Sequence, residues 1–127
     1  KNVYELHGSV LRNYCEKCGA FYDLNYIMEH AGVPKCMKCQ STVKPDVVLY
    51  EEGLDQSIIT ESIHHIRQAD VLIVGGTSLS VYPAAGLVDY FKGDKLIVIN
   101  MSPTPRDNYA DLVIKEPIAE VFSSLLL

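Results

Sequence analysis

The chain has 127 residues, a formal net charge of -5, 48% hydrophobic residues and 21% charged residues. This composition is ordinary for a globular protein, and no apolar run approaches the ~20 residues that a membrane-spanning helix requires. The sequence contains no block of lysine and arginine residues, so it does not predict a nucleic-acid-binding surface. No charged-then-apolar leader precedes the first strand-like segment, so nothing indicates secretion and we expect a cytoplasmic protein, although Lys1 is an unusual natural start.

The first histidine, His7, lies in "YELHGSVLRNYCEKC", eight positions before the first cysteine. It is a candidate metal ligand or a candidate for separate chemistry. On the residues alone, a histidine before a Gly-Ser pair is more often a turn cap or a surface residue. His30 is the other histidine close to the cysteines, but it ends a short predicted helix, where a cation favours the helix dipole. We interpret it as structural or solvated, together with His64 and His65.

Four cysteines form two pairs, Cys15-x2-Cys18 and Cys36-x2-Cys39, with seventeen residues between the pairs. Each CxxC turn aims two thiolates at one point, so two such turns can close a tetrahedron around Zn²⁺. A closed tetrahedron has no position for water, which predicts a structural metal. The alternatives are two disulfides, four unrelated thiols or a redox CxxC. Disulfides are rare in cytosolic chains, and a redox site needs only one pair.

Three elements are predicted around and after the cysteines. "DLNYIMEHAG" indicates a short helix that begins after Asp23 and ends at Gly32. "VVLYEEGL" is either an edge strand that can pair with a peptide or an ordinary connecting strand. "DQSIITESIHHIRQA" has the apolar spacing of an amphipathic helix, with Asp55 as its N-cap.

The rest of the chain alternates strands and helices. Continuous apolar runs in "DVLIVGG" and "KLIVIN" are typical of parallel strands that are covered on both faces, and "DLVI" indicates a third, shorter strand. "PAAGLVDYF", with Pro83 in its first turn, and "EPIAEVFSSLLL" are predicted helices. This alternation predicts a doubly wound α/β domain with a parallel sheet.

Ligands of open α/β sheets bind beyond the carboxyl ends of the strands, where two candidates lie. In "GGTSLSV", Gly75 and Gly76 would let a ligand approach the backbone, or they form a plain tight turn, since the stretch is not a G-x-G-x-x-G fingerprint. Asn100 could bind a ribose hydroxyl or cap the following turn.

Taken in order, these motifs resemble the sirtuin family of NAD-dependent protein deacylases. "ELHGS" is similar to the family's catalytic-histidine motif, and the two CxxC pairs are similar to its zinc ribbon. "KPDVVLYEE" resembles its peptide-binding segment, and "GTSLSVYPAAGL" and "VIN" resemble its NAD loops. The resemblance runs from about Tyr4 to the end of the chain. It implies an α/β fold made of a partial, Rossmann-like NAD-binding domain and a small zinc-ribbon domain, with acyl-lysine proteins or peptides as substrates.

The resemblance also implies a domain division and a missing part. Residues 1–10 would carry the catalytic histidine of the Rossmann-like domain, residues 11–44 would form the zinc ribbon, and residues 45–127 would form the C-terminal part of the NAD-binding domain. The family's glycine-rich first NAD loop, its flexible cofactor loop and its Asn-Asp pair have no counterpart here. We therefore expect a C-terminal part that is inactive alone and whose uncovered apolar strands cause instability or self-association.

The resemblance assigns roles to particular residues. His7 would be the general base that activates a ribose hydroxyl, because an imidazole can accept a proton near neutral pH. Val48 would bind the substrate lysine through its carbonyl and line an apolar tunnel with Tyr50. Where the commoner pattern has two phenylalanines and a glycine, this chain has Leu49, Tyr50 and Glu51, and Glu51 would favour basic residues around the lysine. The residues implied to contact NAD are Gly76, Thr77, Ser78, Val81, Asn100, Asp111 and Leu112. The implied zinc ligands are Cys15, Cys18, Cys36 and Cys39.

The implied function is NAD-dependent removal of acyl groups from protein lysines, with transfer of the acyl group to ADP-ribose and release of nicotinamide. Two alternatives stay open from the sequence: a non-enzymatic zinc-ribbon binding module and a protein mono-ADP-ribosyltransferase. A glycine-rich strand-to-helix loop upstream of Lys1 in the parent gene would distinguish the enzyme from the binding module.

Overall fold

The structure, a computed structural model, describes residues 2–125. The chain divides into two units, Lys1–Ile58 and Ile59–Leu127. Across residues 2–125, no helix is long and apolar enough to cross a membrane.

The first unit is built on a three-stranded antiparallel sheet in the order β2-β1-β3. Its strands are β1 (Gly8–Cys15), β2 (Phe21–Asp23) and β3 (Val43–Val47), and α1 (Leu24–Met28) follows β2 directly. The buried core of the unit lies around the cysteines and consists of Cys15, Tyr22, Cys36 and Val43. The antiparallel pairing therefore fixes the positions of the residues just before β1 and just after β3.

The predicted helix between the cysteine pairs is confirmed, but it is shorter than expected. Asp23 is its N-cap, because the Asp23 carboxylate accepts the Tyr26 N–H at 2.9 Å. The helix ends at Met28, and Gly32, where we expected the end, lies in the following loop with a φ of 85°. A glycine at positive φ marks a turn of the loop here rather than the helix end itself.

The strand predicted in "VVLYEEGL" lies earlier in the chain than expected. Strand β3 ends at Val47, and a turn follows. Glu52 forms this turn: its carboxylate accepts the Leu49 N–H at 2.9 Å, and its own N–H donates to the Leu49 carbonyl at 3.1 Å. The prediction of a strand is wrong beyond Val47, because the hydrogen bond between the Glu52 side chain and the Leu49 backbone competes with strand pairing here.

A β-bulge interrupts the pairing of β1 with β3, and a buried asparagine stabilises it. The register shifts between Ser9 and Asn13. Asn13 is 1% exposed, and its side-chain amide donates to the carbonyls of Val10, at 3.1 Å, and Tyr22, at 3.4 Å. The opposite residue is Pro45, which has no N–H to offer to the ladder. The buried amide of Asn13 is thus hydrogen-bonded to a carbonyl within the bulge and to a carbonyl of the neighbouring strand β2.

The second unit contains the predicted parallel sheet. Its strands β4 (Val71–Gly75), β5 (Lys95–Ile99) and β6 (Leu112–Ile114) pair in parallel in the order β4-β5-β6. The central strand is the most buried, with Val98 at 1% and Ile99 at 3% exposure. Strand β4 lies at an edge of this sheet, and its Val71 and Ile73 are each 47% exposed.

The helices of the second half also match their predictions. Helix α2 (Gln56–Gln68) spans the division between the units, and its N-cap is Asp55, whose carboxylate accepts the N–H groups of Ser57, at 2.8 Å, and Ile58, at 3.3 Å. The helix predicted in "PAAGLVDYF" is of the tighter 3₁₀ type over Ala84–Tyr90. A second 3₁₀ turn covers Asp107–Tyr109, and α3 covers Ile118–Ser124. The last two residues of "EPIAEVFSSLLL" lie outside the described residues.

Candidate functional site

His7 lies immediately before β1, and its backbone is bonded to the residue that follows β3. Gly8 pairs with Val47, and the Val48 N–H donates to the His7 carbonyl at 3.1 Å. The His7 side chain is exposed. The sheet register therefore brings the predicted base and the predicted lysine-binding residue together within the first unit.

Gly8 makes this close approach possible. Its φ is 79°, a conformation that L-residues with side chains rarely adopt, and a Cβ atom at this position would overlap the Asp46 carbonyl oxygen. The glycine of "ELHGS" is thus required by the backbone packing of β1 against β3. The motif therefore combines the predicted base, His7, with Gly8, which lets the backbone lie against β3.

An arginine on β1 braces the segment before His7. The Arg12 guanidinium donates to Glu5 at 2.6 Å and to Asp46 at 2.8 Å. The two carboxylates, Glu5 first, hold the pKa of Arg12 above its ordinary value. All three side chains are more than a third exposed, so each ion pair adds little to stability. Their effect is geometric, because they join the segment that carries His7 to β3.

The predicted substrate segment forms the turn after β3. Leu49 is 55% exposed and Tyr50 is 98% exposed, so in this unit Tyr50 lines no enclosed tunnel. Glu51 has a φ of 70°, a conformation that favours glycine. Glu52 stabilises the turn, and the Leu49 N–H and then the Lys44 ammonium, at 2.6 Å, lower its pKa. Val48 through Glu51 therefore lie together on one exposed turn beside His7.

The four cysteines meet at one point. All four sulfur atoms lie within 4.8 Å of one another. Three of the sulfur-to-sulfur distances are 3.4 Å (Cys15–Cys39), 3.5 Å (Cys18–Cys36) and 3.6 Å (Cys39–Cys18). A disulfide needs about 2.0 Å, whereas the sulfurs of a tetrahedral Zn²⁺ site with Zn–S bonds near 2.3 Å are about 3.8 Å apart. The donor set and its spacing fit a closed tetrahedral zinc site.

The two CxxC turns have the same backbone geometry. The residue four positions after the first cysteine of each pair donates its N–H to that cysteine's carbonyl, from Gly19 at 2.9 Å and from Gln40 at 2.8 Å. Both residues have a positive φ, 67° for Gly19 and 59° for Gln40. This shared conformation explains why each pair directs two sulfurs to the same side, even though only the first pair has glycine at the strained position.

Hydrogen bonds and burial shift the pKa values of the cysteine thiols. The Tyr22 hydroxyl is the largest influence on Cys36 and lowers its pKa to about 6. The Cys18 N–H is the first of the groups that lower the pKa of Cys15. For Cys39, the Ser41 N–H lowers the pKa, but contact with the other sulfurs and burial together raise it to about 12.

His30 does not join this cluster. Its Nδ1 lies 2.6 Å from the Tyr26 carbonyl, and its ring stacks on the Tyr26 ring with the centroids 4.1 Å apart. In residues 2–125, the group that could hold a metal ion consists of the four cysteines alone. His7 is likewise outside it, which leaves the imidazole available for other chemistry.

The second unit has a cavity of about 300 Å³ at the carboxyl ends of β4 and β5. Two predicted NAD contacts, Gly76 and Asn100, line it. Gly76 has a φ of 65° and donates its N–H to the Ile99 carbonyl at 3.0 Å. The Asn100 amide donates to the Ser102 carbonyl at 2.8 Å, so Asn100 also caps the following turn. The remaining lining residues are Ile99, Met101, Ser102, Glu116, Pro117, Ile118 and Ala119.

Three other predicted NAD contacts lie in the loop after Gly76 and outside the lining of this cavity. The Thr77 hydroxyl accepts the Leu79 N–H at 3.2 Å, and the Ser78 hydroxyl lies 2.6 Å from that of Ser80. Val81 is 63% exposed. This loop is an ordered turn held by its own hydroxyls, with exposed polar groups beside the cavity-lining Gly76.

Asp111 and Leu112 are not brought to the cavity. Asp111 lies before β6, where its carboxylate accepts the Leu96 N–H at 2.9 Å and the Lys95 ammonium at 3.0 Å, which lower its pKa. Leu112 begins β6 and pairs with Ile97. In a parallel sheet the ligand side is the carboxyl end, so the residues after β6, 116–119, line the cavity instead. Their position after a predicted strand was the signal that could have found them.

Comparison with known proteins settles the family. The model of the Sir2 family matches residues 1–83. The chain belongs to the Sir2 family. An NAD-dependent protein deacetylase of Clostridium acetobutylicum is 61% identical over 127 residues, which cover 99% of this chain and 52% of that relative. The sirtuin resemblance of the sequence is thereby confirmed.

Solved sirtuin structures share the fold. A Sir2 structure with a p53 peptide and NAD⁺ has a TM-score of 0.86 and 36% identity, covering 99% of this chain and 55% of that one. Another, with the inhibitor EX-527, 2'-O-acetyl-ADP-ribose and a deacetylated p53 peptide, has a TM-score of 0.87 and 35% identity, covering 99% of this chain and 56% of that one. The chain spans about half the length of the relatives it matches.

Proposed function

We propose that this Sir2-family chain supplies the catalytic base, the lysine-binding turn and part of the NAD site of an NAD-dependent protein lysine deacylase. The observation that carries the proposal is the backbone bond between His7 and Val48, which places the histidine of "ELHGS" beside the "KPDVVLYEE" segment. The relatives support it, because one is named an NAD-dependent protein deacetylase and one structure contains NAD⁺ with a peptide.

The proposed reaction transfers the acyl group of an acyl-lysine to ADP-ribose, and NAD supplies the ADP-ribosyl group when nicotinamide leaves. His7 acts as the general base: its exposed imidazole accepts the proton of a ribose hydroxyl so that this oxygen can take up the acyl group. The turn after β3 holds the substrate as an added strand, with the Val48 carbonyl accepting the amide N–H of the substrate lysine. Acyl-lysine proteins or peptides are thus the proposed substrates.

The proposed NAD contacts are centred on the cavity of the second unit. The Gly76 backbone can approach a phosphate or ribose closely, and the Asn100 carboxamide oxygen suits a ribose hydroxyl. Thr77, Ser78 and Val81 remain proposed contacts of the adjoining loop. The residues after β6 are better placed for the adenosine side than Asp111 and Leu112, because residues 116–119 line the same cavity as Asn100.

Zinc is the proposed occupant of the four-cysteine cluster, with a structural role. Four thiolates complete a tetrahedron, so the metal would join the two CxxC turns and leave no place for substrate. Free cysteines at metal-binding distances also fit a reducing compartment, which supports the cytoplasmic location expected from the sequence. The division into residues 1–10, 11–44 and 45–127 by role remains part of this proposal.

The test uses a chimera in which these 127 residues replace the matching half of the Clostridium acetobutylicum relative. We expect it to deacetylate an acetyl-lysine peptide only when NAD is present and to form O-acetyl-ADP-ribose. His7→Ala should lower this activity by about 10²–10⁴-fold, the usual contribution of a general base. His64→Ala, which changes an exposed histidine of α2, is the matched control and should keep full activity.

Two results would contradict the proposal. Incorporation of ADP-ribose into the peptide without loss of its acetyl group would favour the mono-ADP-ribosyltransferase. Binding of peptide without any turnover in a folded chimera would favour the non-enzymatic binding module.

A further inference from the structure

Tyr22 contacts the cysteine cluster through its hydroxyl. The side chain lies on β2 and the residue is 6% exposed. Its O–H donates to the Cys36 sulfur at 3.2 Å, and its oxygen accepts the Met37 N–H at 2.8 Å. A buried hydroxyl is therefore bonded to one sulfur of the cluster and to the backbone of the residue after it.

The two bonds fix the direction of the hydroxyl proton. A tyrosine hydroxyl has one proton to donate, and the Met37 N–H can only donate, so it must point at a lone pair of the oxygen. The tyrosine proton is then left to point at the sulfur. A thiolate that gives one electron pair to a metal keeps others that can accept a hydrogen bond, so the same contact is compatible with a bound metal.

The bond also joins the two CxxC turns. Tyr22 follows the first turn along the chain, whereas Cys36 begins the second. The Tyr22 ring belongs to the buried cluster that contains Cys15 and Val43, and it stacks on the Tyr26 ring with the centroids 4.4 Å apart. The hydroxyl is thus carried by a ring whose position is set by packing in the buried core of the first unit.

We propose that Tyr22 is a positioning residue of the metal site, whose hydroxyl orients the Cys36 thiolate and stabilises its negative charge, and so tightens metal binding. This inference rests on the proposed four-cysteine metal site. Groups that hydrogen-bond to metal ligands commonly change metal affinity by about 10–100-fold when they are removed. Tyr22 has the geometry of such a group, and it is held in place by the Met37 N–H.

The test compares Tyr22→Phe with Tyr26→Phe in the 127-residue chain. Each variant loses one hydroxyl, but the hydroxyl of Tyr26 donates to the Lys35 carbonyl at 2.6 Å, whereas that of Tyr22 donates to a sulfur. We expect Tyr22→Phe to bind Zn²⁺ about 10–100-fold more weakly in competition with a chromogenic chelator. With Co²⁺ in the site, its sulfur-to-cobalt charge-transfer band should move to lower energy, because the thiolate electrons are less stabilised. Tyr26→Phe should leave both the affinity and the band unchanged.

The outcomes separate the inference from the metal site itself. A Tyr22→Phe chain with unchanged affinity and band would overturn the role of Tyr22, as would equal changes in both variants. Failure of the unmodified chain to bind Zn²⁺ or Co²⁺ would overturn the proposed site and the role of Tyr22 with it. If Tyr22→Phe does not fold, 3-fluorotyrosine placed at position 22 supplies a stronger donor. It should move the band to higher energy, and an unchanged band would again refute the inference.

Discussion

The Val48 N–H donates a hydrogen bond to the His7 carbonyl at 3.1 Å, which holds the backbone of the "ELHGS" motif against the end of β3. The pairing of Gly8 with Val47 continues this contact into the sheet. The base and the lysine-binding turn of the proposed active site are therefore parts of one antiparallel ladder, and the distance between them depends on backbone packing at Gly8.

Replacing Gly8 should disrupt this contact. Gly8→Ala combines a positive φ with overlap between the new Cβ and the Asp46 carbonyl oxygen, so we expect a loss of about 2–5 kcal/mol in the free energy of unfolding. Gly19→Ala is the control, because Gly19 also has a positive φ but open space around its missing Cβ. It should cost about 1–2 kcal/mol. Urea denaturation measures both, and equal losses would refute the steric explanation.

Glu51 offers a test of substrate preference in the chimera. Its carboxylate lies on the exposed turn after Val48, where basic residues flanking a substrate lysine would approach it. Glu51→Gln removes the charge but keeps the side chain, whereas Glu51→Gly also removes the strain of the 70° φ. We expect both variants to lose the preference for basic flanks on an acetyl-lysine peptide array. A preference that survives in both would show that the carboxylate does not set it.

Metal removal should loosen the first unit selectively. A chelator removes the metal ion that would join the two CxxC turns, and the substitution Cys36→Ser removes one of its four sulfur ligands. Cys36 is fully buried. Hydrogen exchange should then speed up at Cys15 and Val43, while Val98 in the second unit serves as the internal reference. Retention of both zinc and the melting temperature in Cys36→Ser would contradict a structural role for the metal.

Much of the second unit was predictable because its signals are local and strong. Apolar runs identified β4 and β5, and Asp55 identified the start of α2. The spacing of the cysteines likewise predicted their meeting point. Each of these features depends on residues that are close in sequence or on a donor set with few alternatives.

Features that depend on long-range pairing were not predicted. The bulge of β1 is defined only by its pairing with β3, and Asn13 is buried through its bonds to the carbonyls of Val10 and Tyr22 in the folded sheet. The positive φ of Gln40 is likewise invisible without glycine to mark it.

The N-cap of α2 should make stability depend on pH. The Ser57 hydroxyl, then the N–H groups of Ser57 and Ile58, lower the pKa of Asp55 in the folded chain. A lowered folded pKa means that the stabilisation is present above the unfolded value of about 3.9 and is lost as pH falls through the folded value. Asp55→Asn should therefore lose less stability than the unmodified chain as pH falls from about 5 through the lowered folded pKa of Asp55, as measured by urea denaturation. Glu61→Gln, on the exposed face of the same helix, is the control and should retain the full pH dependence.

The edge of the parallel sheet should make this chain self-associate. Strand β4 is an edge strand among the described residues, and Val71 and Ile73 on it are each 47% exposed, although runs of this kind are normally covered. We expect light scattering coupled to size-exclusion chromatography to show oligomers of the unmodified chain. Lysines at both positions, Val71→Lys with Ile73→Lys, should shift it toward monomer, because charged side chains on an edge oppose strand pairing. Leu112→Lys places the same charge on the other edge strand, β6, which has three residues against five in β4 and therefore offers fewer groups for pairing, so it should leave association in place. A monomeric unmodified chain, or equal effects at both edges, would show that β4 is not the associating surface.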